Sequence, residues 1–169
     1  MSSPILHNCM TEMKKMYFRR QFIAQITALA AAPLTMLRRA HAQTEAQTAA
    51  VEAMIAKITG GAPLGRGRVQ LEIPVLADNG NSVSLRVGVD SPMTAADHVK
   101  SIHLFAPRNP RPNLANFYFG PGAARAQVST RIRLSGSQGV VAVAALSDGS
   151  FWTVTADVAV TVSACWDAS

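Results

Sequence analysis

From Val69 onward, apolar side chains recur at every second position. Val69, Leu71, Ile73 and Val75 alternate with Gln70, Glu72 and Pro74, and after Asp78-Asn79-Gly80-Asn81 the alternation resumes at Val83, Leu85, Val87 and Val89. A period of two puts one set of side chains on one face of an extended chain. The two runs therefore predict a hairpin pair of strands, joined by a turn tolerant of positive φ. Pro74 has no N–H for the ladder, so it predicts an edge position or a bulge in the first strand. Val99 to Ala106 and Phe117-Tyr118-Phe119 predict further strands on either side of the turn Pro107-Arg108-Asn109-Pro110-Arg111-Pro112. Val128, Thr130, Ile132 and Leu134 then alternate with Ser129, Arg131 and Arg133. Val140 to Leu146 is nearly continuous apolar sequence, Asp148-Gly149 turns the chain, and Phe151 to Val162 returns. About seven short strands at this spacing predict a mainly β chain folded as an antiparallel sandwich.

Upstream the period changes. Between Thr44 and Ile58, Ala49, Ala50, Val51, Ala53, Met54, Ile55 and Ala56 are interspersed with Glu45, Glu52 and Lys57, and Gly60-Gly61 follows. This predicts one short amphipathic helix in residues 43–61, stopped by the glycine pair. Met54, at helical spacing among alanines, reads as packing.

The first 42 residues read as an address. Lys14, Lys15, Arg19 and Arg20 form a basic start, and Phe18-Arg19-Arg20-Gln21-Phe22-Ile23-Ala24 has the paired arginines and following apolar pair of the twin-arginine export route. A weakly apolar stretch from Ile23 to Leu37 leads to Ala40-His41-Ala42, with small residues where a signal peptidase requires them. Pro33 interrupts that stretch, and it falls short of the roughly 20 apolar residues of a membrane-spanning helix. Cleavage after Ala42 makes the mature protein periplasmic and changes its charge. The whole chain has 16 basic and 10 acidic residues, a net charge of +6. Six of the basic residues and one acidic residue leave with the signal, so 10 and 9 remain, a net charge of +1. The basic balance belongs to the signal. Nothing in the remainder argues for nucleic acid or for a membrane once the signal is gone.

Cys9 departs with the signal as well, which leaves Cys165 as the one thiol of an exported protein. It has no cysteine to pair with inside the chain, so it reads as a partner-bonding site or a reactive thiol. It stands on a C-terminal arm, residues 163–169, beyond the sandwich of residues 62–162. Other constellations carry less. Gly65-Arg66-Gly67-Arg68 precedes a strand and opens no helix, which argues against a phosphate cradle. The remaining histidines, His98 and His103, lack the spacing of a metal site, and His103 falls within strand alternation. Arg131 and Arg133 occupy outward positions where a solvated face is expected. No cofactor and no metal is called for.

The run Asp90-Ser91-Pro92-Met93-Thr94-Ala95-Ala96-Asp97-His98-Val99-Lys100-Ser101-Ile102-His103, with Asn109-Pro110-Arg111-Pro112, resembles the SoxY family of periplasmic sulfur carriers. Val128 to Leu134, Val140 to Ala144 and Ser147-Asp148-Gly149-Ser150-Phe151-Trp152 resemble it too, so the likeness covers nearly the whole chain. The resemblance implies an immunoglobulin-like sandwich with an N-terminal helix, working as a heterodimer with a SoxZ-like subunit. It also implies that Cys165 holds a thiosulfate-derived substrate covalently while partners process it. Those partners are a thiosulfate-conjugating cytochrome, a sulfate-releasing hydrolase and sulfane-oxidising enzymes. SoxY carriers characteristically end in Gly-Gly-Cys-Gly-Gly, whereas this chain reads Ser163-Ala164-Cys165-Trp166-Asp167-Ala168-Ser169. Glycines keep such an arm flexible and thin; Trp166 widens it, and Asp167 adds negative charge that favours the protonated thiol. Three classes stay open from the residues: a sulfur carrier, a non-carrying SoxY-like paralogue that acts as an interaction subunit, and a thiol enzyme with Cys165 activated by His98 or His103.

Overall fold

The computed structural model describes residues 45–164, so the expected export signal and Cys165, Trp166 and Asp167 lie outside the described residues. One helix, α1, covers residues 45–59. Nine strands follow: β1 (Leu64–Gly65), β2 (Val69–Glu72), β3 (Leu76–Asn79), β4 (Val83–Val89), β5 (Val99–Phe105), β6 (Asn113–Tyr118), β7 (Ala126–Ile132), β8 (Gln138–Leu146) and β9 (Phe151–Val162). They form a mainly β, immunoglobulin-like sandwich. One sheet has the order β1-β9-β8-β5-β6 with β3 also paired to β9, and the other has the order β2-β4-β7.

The period of two becomes the core. Val83, Leu85, Val87 and Val89 of β4 turn inward and meet Ile102, Leu104, Val140, Ala142, Ala144 and Leu146 from the facing sheet. The unbroken apolar run of β8 has a separate cause, because both of its faces are covered. Its even-numbered residues enter the sandwich core, and Val143 with Val141 lies under α1 on the outer face. Val51, Met54, Ile55 and Ile58, one stripe of the helix, pack there against Phe105, Val143 and Val141. The helix stops as its sequence predicts: Gly60 and Gly61 take positive φ of 64° and 84°, and the Gly61 N–H closes back on the Ala56 carbonyl at 3.2 Å.

Two expectations are corrected at Pro74. The predicted strand from Val69 to Val75 is two strands in two sheets. β2 pairs antiparallel with β4, Val69 opposite Val89, but the ladder ends before the proline, which has no N–H to continue it. The chain then crosses to the other sheet, where β3 runs parallel to β9 with Leu76 opposite Ala159 and Asn79 opposite Val162. β2 and β4 are thus neighbours, as predicted, but are joined through β3 rather than by a tight turn. β1 is also parallel to β9, so one margin of an otherwise antiparallel sandwich is parallel. The turn at Asp78-Asn79-Gly80-Asn81 does not use positive φ; Asn79 Oδ1 accepts the Asn81 N–H at 2.9 Å instead.

Candidate functional site

The sequence singles out the chain leading to Cys165, and its described part is tied down to its last residue. Val162 ends β9, and its carbonyl accepts the Gly80 N–H at 2.8 Å. The Gly80 carbonyl accepts the Leu134 N–H at 2.8 Å, and the Leu134 carbonyl accepts the Ala164 N–H at 3.1 Å. Three segments distant in sequence, the β3–β4 turn, the chain after β7 and the end of β9, are thereby knotted together. Ala164 is only 6% exposed. A side chain at Gly80 would collide with the Leu134 carbonyl and come within 2.9 Å of the Ala164 nitrogen. Glycine is required there by close approach of backbones, not by dihedral freedom.

The turn that supplies Leu134 is braced from beneath. Asn109, 2% exposed, accepts hydrogen bonds on Oδ1 from the Ser135 N–H at 3.0 Å, the Ser135 hydroxyl at 3.1 Å and Gln138 Nε2 at 2.8 Å. Its Nδ2 donates to the Arg133 carbonyl at 2.8 Å, and Gln138 Oε1 accepts the Arg108 N–H at 2.8 Å. Ser137 Oγ takes the Val160 N–H at 2.9 Å and so ties the same turn to β9. Buried amides pay their desolvation only when so partnered. The asparagine of the proline-rich turn, which sequence reasoning leaves as part of a loop, is thus the keystone of this end of the sandwich. Its signal was an amide flanked by prolines in a motif otherwise made of turn formers.

Neither histidine is brought to the root of the arm. His98 lies at the far end of the six-stranded sheet, where its N–H meets Ser147 Oγ at 3.0 Å and its Nδ1 lies 3.1 Å from the Thr94 carbonyl. The nine residues of β8 separate Ser147 from the Gln138 end, roughly 30 Å at strand rise. His103 is buried on the outer face of β5. Its Nδ1 lies 2.8 Å from Asn116 Oδ1 and its Nε2 2.9 Å from Ser101 Oγ. An amide oxygen as partner makes Nδ1 the donor and leaves Nε2 to accept the serine hydroxyl. Serine, histidine and asparagine stand in the order of a nucleophile, base and orienter. However, β5 is paired on both sides, to β6 and β8, so its backbone N–H groups are occupied by the ladder and Ser101 is itself buried. The trio reads as a satisfied side-chain ladder beside the helix, with the Tyr118 ring edge-on to His103 at 6.1 Å.

The remaining candidates fall where the sequence predicts. Arg131 and Arg133 are exposed, and Arg131 Nη1 reaches Ser82 Oγ at 3.2 Å. Gly65 lets β1 lie on the Trp152 ring, which a Cβ there would strike at 2.8 Å, and Arg68 sits over that ring at 5.7 Å. Packing accounts for the glycine-arginine run. Among the described residues no cluster of histidine, cysteine and carboxylates has the spacing of a metal site, and no helix is long and apolar enough to cross a membrane. Asp148 has its pKa lowered, first by the Ser150 hydroxyl and then by the Ser150 N–H; that N–H lies 2.8 Å from Oδ1.

A family model described as sulfur oxidation protein SoxY matches residues 55–165, a span that ends on Cys165. Among solved structures the chain is similar to the sulfur carrier protein SoxY of Chlorobium limicola f thiosulfatophilum. The two share 26% identity and a TM-score of 0.56 over 66% of this chain and 96% of that chain. It is also similar to a superoxide reductase (neelaredoxin) of Ignicoccus hospitalis, at 23% identity and a TM-score of 0.50 over 56% of this chain and 80% of that one. That second likeness is one of fold. Among curated protein sequences nothing matches.

Proposed function

Because this chain belongs to the SoxY family of sulfur oxidation proteins, whose role is that of a sulfur carrier, we propose that it carries thiosulfate-derived intermediates covalently on Cys165. The observation that carries this reading is the coincidence of three facts at one place. The family match runs to residue 165, Cys165 is the one cysteine outside the first 42 residues, and the described chain is held up to its immediate neighbour Ala164. In the loading step the Cys165 sulfur forms an S–S bond with the sulfane sulfur of thiosulfate. The thiol gives up its proton, and two electrons pass to a thiosulfate-conjugating cytochrome. A sulfate-releasing hydrolase and sulfane-oxidising enzymes act on the product.

The same reading places the mature protein in the periplasm after removal of a twin-arginine signal in residues 1–42, as a heterodimer with a SoxZ-like subunit. Activation of the thiol by His98 or His103 has no support, since both rings are engaged elsewhere. A second reading, a non-carrying paralogue that acts as an interaction subunit, is favoured by Trp166 and Asp167 in place of glycines. Intact-mass measurement of protein taken from its own periplasm decides between them. Sulfane or thiosulfonate increments should appear, vanish with reductant and be absent from Cys165→Ser. An adduct that persists in that variant, or no increment in the parent protein, overturns the reading.

A further inference from the structure

A carrier arm is ordinarily measured from the end of its last strand. From Val162 an extended chain would bring residue 165 roughly 10 Å outward. The hydrogen bonds place the last fixed point two residues later, at Ala164. We infer that Gly80 is a positioning residue for the proposed carrier thiol, and that the knot it permits limits delivery of Cys165 to partners that receive it at a shallow mouth against the rim of the sandwich. The inference rests on the carrier reading for its purpose, but the geometry stands without it.

The residue after Ala164 has its Cα about 3.8 Å away, so the sulfur lies within roughly 7 Å of the Ala164 Cα however the side chain turns. For it to travel farther, the Ala164 N–H must leave the Leu134 carbonyl. That carbonyl is not free to follow, because the Leu134 N–H is bound to Gly80 and its turn is pinned by Asn109 and Ser137. Gly80 is central because it both donates to Val162 and accepts from Leu134, and because only a residue without Cβ admits the Leu134 carbonyl and the Ala164 nitrogen at these separations. A deep, narrow channel would require a freely extended arm. A shallow mouth requires only the residues beyond the knot, and it accommodates the bulk that Trp166 adds directly after the thiol.

Gly80→Ala in the full chain tests this by amide hydrogen exchange and by thiol alkylation with a small reagent, iodoacetamide, and a bulky maleimide-polymer. In the parent protein the Ala164 and Leu134 amides should be protected, and the bulky reagent should react far more slowly than the small one. In the variant, exchange at Ala164 should accelerate on the order of tenfold and the two alkylation rates should converge. Ala164→Pro removes the same N–H without crowding Gly80, so it gives the same result if Gly80→Ala does not fold. Unchanged exchange at Leu134 and unchanged alkylation in both variants, or an unprotected Ala164 amide in the parent, overturns the knot. Failure of the carrier reading shows separately, as a protected Ala164 beside a Cys165 that never bears sulfur.

Discussion

Asn109 shows how one side chain holds an end of the molecule in place. Its amide joins the turn after β5 to the turn after β7, and every partner it satisfies belongs to a segment without ladder bonds of its own. Asn109→Ala would leave the Gln138 amide and the Ser135 N–H without their acceptor in a buried site. Such orphaned groups cost about 1–3 kcal/mol each, so the variant should lose about 3 kcal/mol, read as a lower urea midpoint with an unchanged slope. A loss within 0.5 kcal/mol, the range of an ordinary surface change, would show that water replaces the amide. Asp148 makes a smaller and opposite kind of contribution, at the far end and in full exposure. Its folded pKa is lowered, so the carboxylate form favours the folded β8–β9 turn. The stabilisation is present above the pKa of the unfolded chain and is lost as pH falls through the folded value. A carbon-detected titration should place Asp148 below the ordinary aspartate range, and Ser150→Ala should move it back up. No movement would deny the serine its part.

At the level of elements, alternation and the glycine stop made most of the sandwich legible. β4, β5, β7, β8 and β9 lie on the runs that predicted them, and α1 ends at the predicted pair. What alternation cannot express is a change of partner. Val69 to Val75 keeps its period of two through Pro74, yet the missing N–H sends β3 to another sheet, and only the fold decides where a broken ladder resumes. The same holds for Gly80: a turn glycine and a glycine squeezed between two backbones look alike in sequence, because the squeezing groups lie 54 and 84 residues away, at Leu134 and Ala164. The arm was legible as a lone cysteine near the end of the sequence, but not the tether that shortens it. α1 offers a test of how far an element depends on its one face. Val51, 3% exposed, anchors it over Phe105 and Val143, and so short a helix is marginal without packing. Val51→Asp should undock α1, with amide protection lost through residues 45–59 and retained in β5 and β8. Loss of protection throughout would make the helix an integral part of the sandwich rather than a cover.

For the molecule as a whole, the division of labour is between a body that is fixed and a terminus that meets other proteins. The knot at Ala164 separates them, so changes beyond it should alter encounters and leave the fold alone. Trp166→Gly combined with Asp167→Gly removes the bulk and the charge that follow Cys165 without touching a described contact. Thermal stability should therefore stay within about 2 °C, since residues at a terminus beyond the last anchored amide contribute few core contacts. Loading of Cys165 by a thiosulfate-conjugating cytochrome of the same system is where the effect should appear. If the indole hinders entry, the double variant loads on the order of tenfold faster, a barrier change of about 1.4 kcal/mol. If the partner has a mouth shaped to the indole, loading falls instead, because a buried aromatic anchor is among the strongest contributors at an interface. Either direction fits a carrier and identifies the kind of partner it meets. If neither the parent nor the double variant accepts sulfur from that cytochrome, while both still bind a SoxZ-like subunit, the chain is an interaction subunit that has kept the sandwich and given up the cargo.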